Sequence, residues 1–138
     1  MANSSQLTGN SGLQYVSWQL SRRGWLAMPT VRNAKGSDII VTNSDESSFF
    51  GVQSKALSKR DNVPLGGSLD TLRSTWWIIT IKANSEQPTC FIMTLDEVKQ
   101  RAFRMEKDGR ASFWLVAKAY DCDEFRDRWD RLGDPAQV

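Results

Sequence analysis

The sequence contains 138 residues, a length typical of one domain with a single hydrophobic core. Hydrophobic residues make up 40% and charged residues 25%, with a net charge of +2, a balance that ordinary globular proteins share. The absence of histidine excludes imidazole general bases, His-ligated zinc and Ser–His or Cys–His nucleophile pairs. The sequence also lacks glycine-rich phosphate loops, so any catalysis must use carboxylate, amide, Lys or Arg groups.

The distribution of charged and apolar residues indicates which partners to expect. Residues 1–75 carry eight Lys/Arg against five Asp/Glu, an excess that suits a polyanion such as nucleic acid. No apolar run approaches the ~20 residues that cross a bilayer, and the first residues do not resemble a signal peptide. We therefore expect a cytoplasmic protein with no membrane partner. Cys90 and Cys122 lack CxxC spacing, which predicts two reduced, packed thiols.

The first half of the chain predicts one helix followed by three strands. Residues 1–10 are polar and predict a disordered tail. Leu13, Val16 and Leu20 have helical spacing and Gly24 is typical of a C-cap, so we expect a helix over residues 12–24. Strands are predicted at residues 25–32, 37–43 and 48–56. The first of these contains Pro29, which implies either an edge position or a bulge.

The second half predicts more strands and two helices. The polar segment 57–68 predicts a long loop. Thr94 and Glu97 form a capping box that predicts the start of a helix, with Gly109 at its end. The remaining predicted elements are a doubly covered central strand at 75–83, strands at 88–93 and 111–118, and a last helix at 121–133. The tryptophans predict core packing rather than base stacking: Trp18, Trp25, Trp76, Trp77, Trp114 and Trp129.

Three polar residues interrupt the apolar pattern of the hairpin at 37–56. If the turn is centred on residues 45–46, paired positions sum to 91 and Asp38 lies opposite Gln53. Side chains alternate along a strand, so Lys55 shares the face of Gln53. The turn geometry therefore predicts a cluster of a carboxylate, an amide and an ammonium group.

This cluster has the composition of a magnesium site beside a cation. Mg²⁺ takes one or two protein oxygens and keeps several waters, so Asp38, the Gln53 side-chain oxygen and the Ser54 carbonyl could hold Mg²⁺ or Mn²⁺. Lys55 could then orient or help deprotonate a metal-bound water and stabilise charge on a phosphate. The alternative interpretation is a solvated hairpin face with an Asp38–Lys55 ion pair, worth about 0–1 kcal/mol.

The segments "LSRRGW", "GSDIIV" and "VQSK" resemble the PD-(D/E)xK nuclease superfamily, and within it small bacterial proteins of the Holliday-junction-resolvase-like group. The motifs cover residues 11–56, and the order of strands and helices extends the resemblance to about residue 132. The resemblance implies a restriction-endonuclease-like α/β (α+β) fold over residues 11–133, with a mixed sheet flanked by helices and a C-terminal tail at 134–138. It also implies metal-dependent phosphodiester hydrolysis by Asp38, Gln53 and Lys55.

The sequence departs from the pattern of this superfamily at two positions. Gln53 replaces a carboxylate, and Leu13 stands where many relatives have a glutamate on the first helix. Gln14 and Gln19 are the polar candidates nearby. Asp38 would then be the only anionic ligand of a metal.

Two functions therefore remain open, and a third possibility, a soluble domain unrelated to nucleic acid, applies only if the predicted register is wrong. The first is a metal-dependent endonuclease or phosphodiesterase acting on nucleic acid, most simply DNA, in repair, recombination or defence. The second is a catalytically degenerate nuclease fold that binds nucleic acid or protein. In either case Lys35, Lys59 and Arg60 are the candidate backbone contacts. A homodimer is plausible for the enzyme, because cutting two strands benefits from two sites.

Overall fold

The strands of the protein form two sheets, and a long first helix packs against the larger one. The computed structural model describes residues 4–31 and 36–136. The helices are α1 (Ser4–Arg22), α2 (Leu95–Arg101) and α3 (Ala117–Tyr120), with a 3-10 turn at Trp129–Leu132. The strands are β1 (Leu26–Pro29), β2 (Ile39–Thr42), β3 (Phe49–Ala56), β4 (Val63–Gly66), β5 (Trp76–Ile81), β6 (Thr89–Thr94), β7 (Phe103–Lys107) and β8 (Arg110–Leu115). Among the described helices, none is both long and apolar enough to cross a membrane.

The larger sheet has the strand order β1-β2-β3-β5-β6. Strands β3 and β5 are parallel, while the other neighbouring pairs are antiparallel, so the predicted mixed sheet is confirmed. The proline-containing strand β1 lies at an edge, where its missing N–H costs no ladder bond.

Helix α1 covers one face of the larger sheet. Val16 and Leu20 of the helix are fully buried in a cluster with Ile39, Val52 and Ile78. The approach of helix and sheet is close at Gly12, because a Cβ atom there would lie 2.3 Å from the Ala56 Cβ. The helix is therefore held directly over the end of β3.

The smaller sheet, ordered β4-β8-β7, packs against the opposite face of β5 and β6. Its buried side chains, Val63, Leu65 and Leu115, form a second core with Trp77 and Phe91. In the described chain, the residues of this core do not include any from β1, β2 or β3. On this side of the larger sheet, the smaller sheet covers β5 and β6 but leaves β2 and β3 open.

Several predicted elements are corrected by the structure. Residues 4–10 belong to α1 rather than to a disordered tail. The capping box at Thr94 is confirmed, but its helix ends at Arg101, and residues 103–107 pair with β8. Part of the predicted loop at 57–68 forms β4, and the predicted strand at 111–118 ends at Leu115 before α3. The predicted last helix reduces to the short 3-10 turn.

Two smaller predictions concern the tryptophans and the cysteines. Core packing is confirmed for Trp77 but is wrong for Trp18, which is 56% exposed. Trp114 is half-buried and lies outside both cores. Both cysteines are free, and burial raises the pKa of the Cys90 thiol to about 12, so this thiol stays protonated. Cys122 is only partly buried.

Candidate active site

The register of the β2–β3 hairpin agrees with the predicted turn geometry. Ile39 pairs with Val52, and every other pair of this ladder also sums to 91. Asp38 immediately precedes β2, and its N–H donates to the Val52 carbonyl at 2.9 Å. The Gln53 amide nitrogen donates to Asp38 Oδ2 at 3.0 Å, so the two side chains lie on the same face.

The Asp38 carboxylate also contacts the main chain of β3. The Ser54 N–H donates to Asp38 Oδ2 at 2.8 Å. The N–H and C=O of one strand residue point to the same edge, so the Ser54 carbonyl is directed to the side where Asp38 lies. The Asp38 carboxylate thus accepts from both Gln53 and Ser54, the two residues predicted to share its site.

The backbone around Asp38 is fixed by hydrogen bonds on both sides. The Thr30 N–H donates to the Asp38 carbonyl at 2.8 Å, and the Thr30 hydroxyl donates to the Ser37 carbonyl at 2.8 Å. With the bond from the Asp38 N–H to Val52, these contacts hold the residue between β1 and β3. The carboxylate is thus positioned by the ladder of the sheet rather than by a loose loop.

A glycine makes room for the segment that precedes Asp38. A Cβ atom at Gly51 would lie 2.0 Å from the Ser37 Oγ and 3.0 Å from its Cβ. The Ser37 hydroxyl hydrogen-bonds with the Ser74 hydroxyl at 2.7 Å, which ties the segment to the loop before β5. Only glycine at position 51 permits this arrangement.

Lys55 lies two residues beyond Gln53 and shares its face. Its Nζ is 5.8 Å from the ring centroid of Trp77, a cation–π contact. Asp38 and Lys55, both described, do not form an ion pair, so that feature of the alternative interpretation is not found. Lys55 and Gln53 instead line a cavity of about 120 Å³ together with Arg73.

Arg73 is a cation at this cavity that the sequence did not single out as a site residue. It is exposed, and its guanidinium donates to the carbonyls of Asp70 and Leu72. The indole N–H of Trp77 donates to the Arg73 carbonyl at 2.9 Å, which holds the loop beside the sheet. Lys55 and Arg73 therefore line one cavity with Gln53, whose amide nitrogen donates to the Asp38 carboxylate.

The first helix approaches Asp38 with its N-terminal half. A cavity of about 330 Å³ beside Asp38 is lined by Gln6, Asn10 and Leu13 of α1. The candidates named from the sequence lie elsewhere. Gln14 is exposed, and neither it nor Gln19 lines this cavity.

Gln19 takes part in a separate set of hydrogen bonds. Its amide nitrogen donates to the Tyr15 hydroxyl at 2.7 Å, and its oxygen accepts from Arg23. Gln19 is buried, so its side chain serves the packing of α1.

Neither Lys59 nor Arg60, two of the predicted backbone contacts, lines the cavities at Asp38 and Lys55. Lys35 lies outside the described residues. Lys59 is exposed, and Arg60 forms an ion pair with Asp121 at 2.6 Å. Arg60 lines a cavity with Phe103 of the smaller sheet rather than the cavities at Asp38 and Lys55.

The donor set at the site is short of carboxylates. Within residues 4–31 and 36–136, the structure has no group of three or more His, Cys, Asp and Glu residues that could hold a metal. The set does fit a weakly held Mg²⁺ or Mn²⁺, because these ions accept one carboxylate with neutral oxygens and waters.

The comparisons with known proteins concern the whole fold. No protein-family model matches the chain, and no curated protein matches its sequence. A solved structure of Hjc, a Holliday junction resolvase from the archaeal hyperthermophile Archaeoglobus fulgidus, is similar with a TM-score of 0.56. The similarity covers 81% of this chain and 86% of the resolvase, at 15% sequence identity. The fold is restriction-endonuclease-like. The predicted resemblance to the PD-(D/E)xK superfamily is therefore confirmed for the fold.

Proposed function

We propose that this protein is a metal-dependent endonuclease that cleaves DNA in recombination or repair. The observation that carries the proposal is the meeting of Asp38, Gln53 and Lys55 on one open face of the sheet. The fold shared with a Holliday junction resolvase supports the same reaction and makes branched DNA the first substrate to test.

Three oxygens would hold Mg²⁺ or Mn²⁺ at this face: a carboxylate oxygen of Asp38, the amide oxygen of Gln53 and the main-chain carbonyl of Ser54. The Gln53 amide would rotate by half a turn, since its nitrogen now faces Asp38. A bound ion supplies a water of lowered pKa and polarises the phosphoryl oxygen.

In this proposal Lys55 and Arg73 bind the phosphate group of the substrate. The Lys55 ammonium lies over the Trp77 ring and its side chain lines one cavity with Gln53, so part of its side-chain freedom is already lost before it contacts a phosphate oxygen. Charge that develops on the phosphate is stabilised by such a fixed cation. Arg73 adds a second positive charge on the same side, and we expect DNA binding to weaken as salt rises.

A second candidate is a catalytically degenerate module that binds nucleic acid or a protein. The observation in its favour is that Leu13 lines the cavity beside Asp38 from helix α1, and that Gln53 supplies no charge. Asp38 is then the only carboxylate among these residues, which weakens metal binding.

A cleavage assay with Mg²⁺ or Mn²⁺ separates these candidates. The substrates are duplex, four-way-branched and single-stranded DNA, with RNA of the same forms. We expect wild type to cut DNA. Lys55→Met should lower the rate by about 10²–10³-fold, as loss of one transition-state donor does, and Asp38→Asn should lower it at least as much. Lys99→Met and Asp96→Asn, which change equal charges on helix α2, should keep the wild-type rate.

Two results would contradict this assignment. A wild-type protein that cuts none of these substrates would favour the degenerate module. A protein that cuts equally well with Asp38→Asn and Lys55→Met would show that the reaction takes place elsewhere.

A further inference from the structure

The smaller sheet has an outer face that is turned away from the larger sheet. Its inner face supplies Val63, Leu65 and Leu115 to the core. Side chains alternate along each strand, so the neighbours of these residues point outward. In the ladder, Phe103 pairs with Trp114, Met105 with Ser112 and Lys107 with Arg110. All six belong to the outer face, and Pro64 of β4 adjoins Trp114 there.

This outer face exposes large apolar side chains. Phe103 is 54% exposed and Met105 is 48% exposed, and every residue of β7 is exposed. Trp114 is half-buried beside Phe103, and its indole N–H donates to the Ser112 hydroxyl at 3.1 Å. The ring is therefore held by a hydrogen bond, so that it contacts a ligand at little entropic cost.

Cations lie at both ends of this aromatic pair. Lys107 and Arg110 lie at the turn end of the hairpin, roughly 13 Å along the strand from Phe103. Arg60 and Lys118 lie at the other end, where they line a cavity of about 440 Å³ together with Phe103.

Arg60, one of the four cations at the ends of the outer face, is paired with Asp121, and the other three are not paired within the described chain. Lys107, Arg110 and Lys118 form no ion pair with any residue in the described ranges. The ion pair between Arg104 and Glu106, at 3.0 Å, belongs to the opposite side of β7 and is neutral. An aromatic surface between two groups of cations is thus exposed to solvent.

We propose that the outer face of the smaller sheet binds single-stranded nucleic acid. Bases stack on Phe103 and Trp114, because every base has a face that an aromatic ring accepts, whatever the sequence. The phosphates on either side contact Lys107 and Arg110 at one end and Lys118 at the other. A duplex does not fit this mode, since its bases are already stacked and paired.

Charge complementarity favours this occupant over a second copy of the chain. In a symmetric dimer the same patch meets itself, and the unpaired cations of the two copies would repel one another. A polyanion, in contrast, is attracted by those cations, and its binding releases counterions from the phosphates. The surface is separate from Asp38 and Lys55, so the inference does not rest on the proposed cleavage reaction.

Binding measured without metal tests this inference. Fluorescence anisotropy of labelled single strands of 20 thymidines or 20 uridines, in EDTA, gives the affinity while any metal-dependent cleavage is blocked. Phe103→Leu keeps the apolar bulk but removes the ring, and we expect binding about 5- to 100-fold weaker. Phe103→Trp should bind at least as tightly as wild type. Phe49→Leu, which alters another exposed aromatic residue, should change nothing.

The contribution of the cations has its own measurement. The double variant Lys107→Ala/Arg110→Ala should lower the slope of log affinity against log salt by about 1.4, as loss of two phosphate contacts does. Arg128→Ala, an exposed arginine paired with Asp130, should leave that slope unchanged.

Three results would overturn the inference. In the first, Phe103→Leu binds single strands as tightly as wild type. In the second, Phe49→Leu weakens binding as much as Phe103→Leu does. In the third, wild type binds neither single strand, and Phe103→Leu instead abolishes a dimer seen by sedimentation, which would identify the face as a contact between copies. Equal binding of both strands would show that neither the 2′-hydroxyl of the sugar nor the methyl group of thymine is recognised.

Discussion

The two halves of the larger sheet differ in how they are covered. In the β5–β6 half, residues 77–81 and 90–93 are buried without interruption, because α1 and the 3-10 turn at Trp129–Leu132 pack on one face and the smaller sheet on the other. In the β2–β3 half, Val52 is buried but Gln53 and Lys55 are only half-buried. The polar side chains of Gln53 and Lys55 therefore lie on the part of the face that the smaller sheet does not cover. Their strand, β3, is held by its pairing with the buried strand β5.

Trp77 lies at the border between the two halves. Its side chain is 2% exposed and belongs to the core under the smaller sheet, yet its ring also contacts Lys55. Trp77 therefore stabilises the covered half and also positions the Lys55 side chain of the open half.

The largest expected effect on stability tests this difference. Trp77→Ala should lower the free energy of unfolding by about 3–5 kcal/mol, because it removes a buried ring and leaves a cavity. Asp38→Ala, in the open half, should cost about 1–3 kcal/mol, since two donors lose one acceptor. Denaturant unfolding measures both. Trp18→Ala, which removes an exposed ring, is the control and should cost less than either.

Equal losses for Trp77→Ala and Trp18→Ala would contradict the distinction between a covered and an open half. Such a result would mean that the smaller sheet does not pack against β5 in solution.

A smaller effect is expected where the open half is packed closely. Gly51→Ala should lower the free energy of unfolding by about 1–3 kcal/mol, because its Cβ would collide with Ser37 beside Asp38. Adding Ser37→Gly removes the colliding atoms and should restore part of the stability and part of the cleavage rate. Gly67→Ala, whose Cβ would meet its nearest neighbour at an ordinary 3.8 Å, is the matched control. If the double variant is no better than Gly51→Ala, the collision is not the cause.

The larger sheet could be predicted from the sequence because its strands are encoded locally. The run from Trp76 to Ile81 is continuously apolar, as a doubly covered strand requires. The turn between β2 and β3 fixes the register of the hairpin. The position of Asp38 beside Gln53 could therefore be predicted from this register and from side-chain alternation.

The smaller sheet was missed because two local signals compete in residues 94–110. The capping box at Thr94 starts a helix, and the following residues favour its continuation. The structure ends that helix at Arg101, because pairing of β7 with β8 overrides helix propensity. Asp108 and Gly109 both have positive φ, the conformation of a tight hairpin turn, and this dipeptide was the available signal.

The rest of the candidate site could not be read from the sequence. Arg73 lines the cavity at Lys55 because the loop before β5 is tied to Trp77, and Asn10 lines the cavity at Asp38 because α1 begins well before its apolar pattern. Both placements depend on how distant segments pack. Neither the periodicity nor the residue spacing of these two segments predicts which cavity their side chains line.

Metal binding tests the central claim most directly. In a titration of Mn²⁺ followed by electron paramagnetic resonance, the signal of free Mn²⁺ falls when the ion is bound. We expect one Mn²⁺ site in wild type, no such site in Asp38→Asn, and an unchanged site in Asp96→Asn, a matched loss of charge on an exposed residue of α2. Equal Mn²⁺ binding by wild type and Asp38→Asn, or none by wild type, would contradict it.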